Sequence, residues 1–368
     1  ALDHAAEKFM KIAEKYTRCG VLFTPGSDMQ STFVRWFAEV FVSYNVTTHE
    51  SSCLLSRNRA YLDTFGEVPF SDILHTKYII MTGANRIESL ITPDSIDLMT
   101  AKKNGCKLVV LDPRYTKTAA LADEWYAIRP GTDMAFFLAL AHVIIGEKLY
   151  DQAYAAEKLY GVEQLGEHVK QYSPEWAEGE CEIPAKETRR IARELAAAAP
   201  AAIVYPGRRT SDYVNSTQIR RAMAIVNGLL GNWDQPGGLL AARKVGLSGP
   251  ELPDSPFYED NPDDRADHGR AHMMFDEEGS IKHMRDAIIE QKPYPIKGWF
   301  AYKINPLQSV ANRNRTLQMI DNLDFIVTVD IAMSDTAWMS DLVLPAPSYL
   351  ERQDPASGLQ GSSACACV

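Results

Sequence analysis

The chain has 368 residues, of which 46% are hydrophobic and 23% charged, with a formal net charge of −10. That is enough apolar material for a large core and enough length for two domains. The acidic balance argues against a nucleic-acid surface, and no apolar run approaches the roughly 20 residues needed to cross a bilayer. Nucleic acid as a partner and direct membrane insertion are therefore not expected.

The chain opens on Ala1 and runs directly into a helix-like stretch from Asp3 to Tyr16, with no signal-peptide pattern. Gly20 to Thr24 reads as a short apolar strand ending in the turn Pro25-Gly-Ser-Asp28. A helix with Phe33, Phe37, Val40 and Phe41 on one face follows. A second series starts at Lys77. Tyr78-Ile-Ile-Met81 is a wholly apolar strand ending in Thr82-Gly-Ala-Asn85. Thr92-Pro93 then reads as N-cap plus first-turn proline, and Gly105 as the helix stop. Leu108-Val-Val-Leu111 ends in Asp112-Pro-Arg114. Trp125-Tyr-Ala-Ile128 ends in Arg129-Pro-Gly-Thr-Asp133, before an apolar helix from Met134 to Ile145.

A third series begins with Ala202-Ile-Val-Tyr205 and the loop Pro206-Gly-Arg-Arg-Thr-Ser-Asp-Tyr213. Asn215 or Ser216 can cap a helix whose Ile219, Met223, Val226 and Leu230 form a core face. Residues 239 to 297 are acidic, Pro-rich and mostly loop, with a helix near Ile281 to Ile289. Trp299 to Tyr302 ends in Asn305-Pro306, Phe325 to Val329 ends in Asp330, and Leu342-Val-Leu344 closes the series. No internal repeat of solenoid period is found. The tail Gly361 to Val368 reads as an interrupted segment. Its Cys365-Ala-Cys367 pair lacks a nearby His or further Cys to make a metal site.

Strands alternating with helices predict an α/β fold of two Rossmann-like parallel-sheet domains, one inserted into the other. The expected boundaries are 1–52 plus 196–345 for the discontinuous domain and 53–195 for the inserted one, with 346–368 beginning a truncated segment. Strand-end loops in such sheets gather at the carboxyl edge, where ligands bind. Gly83 to Asn85, Asp112 to Arg114 and Pro130 to Asp133 form one such constellation. A carboxylate there can accept from ribose hydroxyls or a guanine edge, and glycine admits close approach. The GxGxxG fingerprint is absent, which disfavours a nicotinamide-dependent dehydrogenase.

The six cysteines are scattered without a CxxC pair, so spacing alone gives no zinc, iron-sulfur or disulfide framework. A lone cysteine is commonly a small buried hydrophobe. Cys53 stands instead among Ser51, Ser52, Ser56 and Arg57, with His49 upstream, and a thiolate there would suit a soft metal. Arg208-Arg209 read either as a solvated pair at the sheet edge or as a clamp for an anion. His268 and His272, with Asp267, have helix-compatible metal spacing but read as solvated surface.

Taken together these stretches resemble the catalytic subunit of molybdopterin oxidoreductases of the dimethyl sulfoxide reductase type. The resemblance rests on Ser51-Ser-Cys53 with Thr64-Phe-Gly66, Met81-Thr-Gly-Ala-Asn85, Val110 to Thr118 and Ala122-Asp123. It continues through Ile128 to Asp133, Tyr205 to Arg209, Ala224 to Gly231 with Pro236-Gly-Gly238, Ile304-Asn-Pro306, and Val329 to Thr336 running to Pro345. It implies a bis(molybdopterin guanine dinucleotide) cofactor with molybdenum or tungsten, and Cys53 as the protein ligand to the metal. Gly83, Asn85, Asp112, Arg114, Gly131 and Asp133 would hold one dinucleotide. Gly207, Asn305, Ser334 and Thr336 would hold the other.

Cys53-Leu54 departs from the Cys-His pair of formate dehydrogenases. The loop at Arg208-Arg209, followed by Thr217 to Arg221, is most similar to polysulfide and thiosulfate reductases. That resemblance implies two-electron reduction of an inorganic sulfur compound, with Arg208 or Arg209 orienting a small anionic substrate and His49 near the reacting centre. Reduction of arsenate, tetrathionate or nitrate, or an inactive cofactor-binding fragment, are the alternatives. It further implies an iron-sulfur electron-transfer subunit, a quinol-oxidising membrane subunit and a periplasmic location. The family's [4Fe-4S] cysteines would lie N-terminal to this sequence.

Overall fold

The computed structural model describes residues 1–26, 30–89, 92–207, 210, 213–241, 265–270, 279–352, 356–360 and 363–367. Its principal strands are β1 (Val21–Thr24), β2 (Tyr78–Thr82), β3 (Lys107–Leu111), β4 (Glu124–Tyr126), β5 (Ala202–Tyr205), β6 (Gly298–Tyr302), β7 (Phe325–Asp330) and β8 (Leu342–Pro345). They form two four-stranded sheets, ordered β1-β6-β7-β8 and β4-β3-β2-β5, and every pairing is parallel.

Two compact units result. One contains Ala1–Ser52 with Leu247–Ala356, the other Cys53–Gly246. Ala202–Tyr205 was expected in the discontinuous domain but pairs with Tyr78–Met81 in the other sheet. A fully apolar strand carries no local mark of the sheet it joins, so the expected boundary at 196 had only composition behind it. The helices Gln152–Lys158, Val162–Val169, Pro174–Cys181 and Ala185–Ala198 fill the crossover that leads to this strand.

In the unit from Cys53, alternate strand residues point to opposite faces. Tyr78, Ile80, Val109, Leu111 and Val204 pack under the helices Asp133–Gly146, Ala185–Ala198 and Ser216–Leu229. Ile79, Met81, Leu108, Val110 and Ile203 pack with Leu98, Ala101 and Tyr61 on the other face. In the discontinuous unit, Leu22, Trp299 and Ile326 meet the helices Ile281–Glu290 and Arg313–Asp321. Val21, Phe23, Phe325 and Val327 meet Leu2–Tyr16 and Ser31–Phe41. Both faces of both sheets are covered, which is why the strands read as unbroken apolar runs.

An ion network ties the strand edge to the helix Ala185–Ala198. Lys107 Nζ reaches Glu124 at 2.7 Å and Glu194 at 2.5 Å, while Arg190 joins Glu124, Glu187 and Glu194. Burial works against the charged form of Glu124, but hydrogen bonds from Arg190, Lys107 and Tyr126 prevail and hold its carboxyl down at about 2. A folded-state pKa depressed in this way gives stability that is whole above the ordinary value of 4.5 and fades as pH falls toward about 2. Glu124→Gln is therefore expected to flatten the acid side of the stability curve across that window, as read from urea midpoints. An unaltered acid slope would show that other carboxylates carry it.

Candidate functional site

The strand-end loops of the unit from Cys53 are built largely by their own side chains. Thr82, the last residue of β2, donates its hydroxyl to Asp133, the first residue of the helix Asp133–Gly146. Asp133 is 3% exposed. Burial raises its pKa, against the lowering pull of the Thr82 hydrogen bond and of Arg220. Its carboxylate is thus turned into the protein.

Asn85 joins two loops. Its Oδ1 accepts from Thr118 Oγ1 at 2.7 Å and Thr118 N at 3.3 Å, and its Nδ2 donates to Glu88 at 2.5 Å. Asp112 Oδ1 accepts from Arg114 N at 2.8 Å, closing a tight turn, and Asp112 O accepts from Trp125 Nε1 at 2.8 Å. Among the described residues Asp112 Oδ2 has no hydrogen-bond partner. Arg114 and Tyr115 face solvent, with the Tyr115 ring edge-on to Trp125 at 5.1 Å.

Glycine is required at two of the expected positions. A side chain on Gly207 would begin 2.6 Å from Thr82 O and 2.9 Å from Ala84 Cβ, so the loop after β5 lies directly on the loop after β2. Gly131 has φ +83° and sits against the Tyr213 ring. Gly83 also has positive φ, at +56°.

The discontinuous unit repeats the same construction. Asn305, beyond β6, accepts at Oδ1 from Thr336 Oγ1 at 2.8 Å and Thr336 N at 3.1 Å. Leu307 N donates to Thr336 Oγ1, as Ile87 N donates to Thr118 Oγ1. Ser334 caps the helix Asp335–Trp338 by accepting from Ala337 N; Thr116 caps Lys117–Leu121 by accepting from Ala119 N. Asp341 accepts from Ile326 N at 2.8 Å, and Asp123 from Leu108 N at 2.7 Å.

These residues stand at identical spacing in Asp112-x-x-x-Thr116-x-Thr118-Ala119-x-x-x-Asp123 and Asp330-x-x-x-Ser334-x-Thr336-Ala337-x-x-x-Asp341. A search for solenoid periods misses this duplication, because the two copies lie far apart and share little beyond the polar residues that lock the loops. Comparing the strand-end motifs with one another would have found it. Asn85, Asn305, Ser334 and Thr336 were expected to face a ligand. Asn85 and Asn305 tie loop to loop through Thr118 and Thr336, while Ser334 bonds within its own turn, to Asp330 and Ala337 N. The rim is left to Arg114 and Tyr115 in one copy and to Ala332 and Met333 in the other, all exposed.

Cys53 follows the short turn His49–Ser52 and precedes the helix Leu55–Phe65. It is 8% exposed and belongs to none of the four apolar clusters. It is in no disulfide. His49 is half-buried in the same turn. Arg57, one helical turn on, is close enough for its charge to feel the Cys53 thiol. Arg208, Arg209 and His272 lie outside the described residues, as do the side chains of Cys365 and Cys367. Among the described residues no group of three or more His, Cys, Asp or Glu could hold a metal ion, and no helix is long and apolar enough to cross a membrane.

The pattern of the molybdopterin oxidoreductase family matches residues 1–364. The chain is 34% identical to the molybdopterin-containing subunit of thiosulfate reductase from Salmonella typhimurium, over 98% of this chain and 49% of that protein. It is 31% identical to acetylene hydratase from Syntrophotalea acetylenica, over 96% of this chain and 52% of that protein. It is 26% identical to the molybdopterin-containing subunit of arsenate respiratory reductase from a Shewanella species, over 95% and 46%. The solved structure of acetylene hydratase from Pelobacter acetylenicus superimposes with a TM-score of 0.82 at 28% identity, covering 98% of this chain and 53% of that one. The chain thus spans about half the length of the relatives it matches. Two parallel sheets with matched strand-end loops, and a family pattern running across nearly every residue, lead to one conclusion: this chain belongs to the molybdopterin oxidoreductase family.

Proposed function

We propose that the chain is the cofactor-holding core of a molybdenum- or tungsten-dependent reductase of an inorganic sulfur compound, thiosulfate or polysulfide. The observation that carries this reading is the duplicated strand-end construction. It offers two strand ends built on the same frame, as a bis(molybdopterin guanine dinucleotide) cofactor would need. The residues fit such a group. Asp112 keeps one carboxylate oxygen for a ribose or guanine edge, Arg114 offers a cation to phosphate, and Tyr115 an exposed ring to a base. Gly83, partly exposed and at φ +56°, leaves backbone open beside them. In this reading Cys53 is the thiolate ligand to the metal.

The bound cofactor supplies the electron and sulfur chemistry, while the protein fixes its position and surroundings. Thiosulfate reduction breaks the sulfur–sulfur bond with two electrons and two protons, and releases hydrogen sulfide and sulfite ions. Identity to thiosulfate reductase supports this substrate class. An iron-sulfur subunit with a quinol-oxidising membrane subunit would deliver the electrons, with a [4Fe-4S] centre as first acceptor and a periplasmic location.

The test uses the full-length protein purified from cells given molybdate or tungstate. It is expected to hold about one metal and about two guanine nucleotides per chain, and to oxidise reduced viologen when thiosulfate is added. Absence of both metal and nucleotide would overturn the cofactor reading. A loaded protein that leaves thiosulfate and polysulfide untouched would overturn the substrate. Hydration of acetylene, suggested by the likeness to acetylene hydratase, is separated by the same assay because it consumes no electrons.

A further inference from the structure

Arg57 is placed against three energetic preferences at once. It lies in the first turn of the helix Leu55–Phe65, which has no acidic residue there and no side-chain cap. A cation at that end opposes the helix dipole. It is only partly exposed, and burial pulls its guanidinium below the ordinary range. Tyr61, Tyr205 and Cys53 act the other way, while neighbouring Arg86 adds repulsion. Its Nε and Nη2 both donate to one neutral acceptor, Asn58 Oδ1, at 3.2 and 3.0 Å. Among the described residues it has no ion pair. Arg59, two positions on, is closed by Asp63 at 2.9 Å, and Arg86 meets Asp94 at 3.3 Å. Asp94 is in turn shared with the Tyr205 hydroxyl at 2.7 Å. A half-buried charge without a counter-charge is costly, and an anion completing it recovers that cost.

We propose that Arg57 is the seat of a doubly charged sulfur oxyanion beside Cys53, and that it sets the preference for thiosulfate over polysulfide. The guanidinium fork matches two oxygens of a sulfonate-like group, which leaves the terminal sulfur of thiosulfate unheld. Polysulfide carries its charge on terminal sulfurs, so it meets the same fork by charge alone, without the bidentate match to two oxygens. This deepens the reductase reading and rests on its placement of Cys53 at the metal.

Calorimetric titration of the metal-loaded, full-length protein with sodium thiosulfate, sodium sulfate and sodium arsenate tests it. Arg57→Gln is expected to weaken thiosulfate binding roughly 10- to 100-fold, with metal and guanine content unchanged. Arg57→Lys should fall between, and reduction of tetrasulfide should change far less than that of thiosulfate. Arg57→Gln binding as tightly as wild type, or wild type binding none of the three anions, would overturn the seat. So would loss of metal together with the anion, since Arg57 would then serve the cofactor. Arg57-dependent binding without any thiosulfate reduction keeps the seat and removes the sulfur-reductase reading.

Discussion

Cys53→Ser in the metal-loaded, full-length protein is expected to lower thiosulfate-dependent turnover roughly a hundredfold or more. A serine oxygen is a harder donor than a thiolate and suits a soft redox metal poorly. The side chain is 8% exposed but lies outside every apolar cluster described, so the substitution should cost roughly 1 kcal/mol or less of unfolding free energy. Turnover with reduced viologen, metal content and thermal unfolding on one preparation separate the two effects. Full activity with full metal content would remove Cys53 from the site.

Asn227→Leu is expected to be the most damaging single change to the unit from Cys53. Asn227 is fully buried in the helix Ser216–Leu229, where a polar residue has no propensity reason to be. Its amide acts as one more strand for β5, the open edge of the sheet. Oδ1 accepts from Val204 N at 3.0 Å, and Nδ2 donates to Val204 O at 2.9 Å and Met223 O at 3.1 Å. Asn232 extends the device, donating to Asn227 Oδ1 at 2.8 Å and Ala202 O at 2.7 Å. Leucine has similar bulk but strands both main-chain groups of Val204 out of reach of water. At about 1–3 kcal/mol for each, the loss is about 2–6 kcal/mol. A urea midpoint unchanged by the substitution would mean that water reaches the strand edge.

Much of the scaffold was legible because burial on both faces writes itself as apolar runs punctuated by Gly, Pro and Asp. Tyr78 to Met81, Leu108 to Leu111 and Phe325 to Val329 all lie in the strands observed. Sheet membership was not legible. Ala202 to Tyr205 has the same character as its neighbours, and only the long crossover geometry decides its partner. The loops of the site were legible; the hydrogen bonds that their polar residues make to one another were not. A one-dimensional string does not show what Asn85 and Asn305 touch within the protein. In three dimensions each answers a hydroxyl and an amide one loop away, because strand-end backbone groups must be satisfied before a ligand arrives. Asn227 was hidden for a related reason, since a helix face read for its apolar spacing passes over the one polar residue that matters most.

The doubled clasp has a consequence for how the two halves diverge. Since Asn, Thr and Asp lock each loop from within, the side chains of Arg114, Ala332 and Met333 take no part in that lock, and Tyr115 adds only its edge-on contact with Trp125. Two like molecules offered to the two copies would meet a guanidinium and a phenol on one side, a methyl and a thioether on the other. Likeness of frame therefore coexists with unlikeness of rim, and the four rim positions are where the two strand ends differ in chemistry.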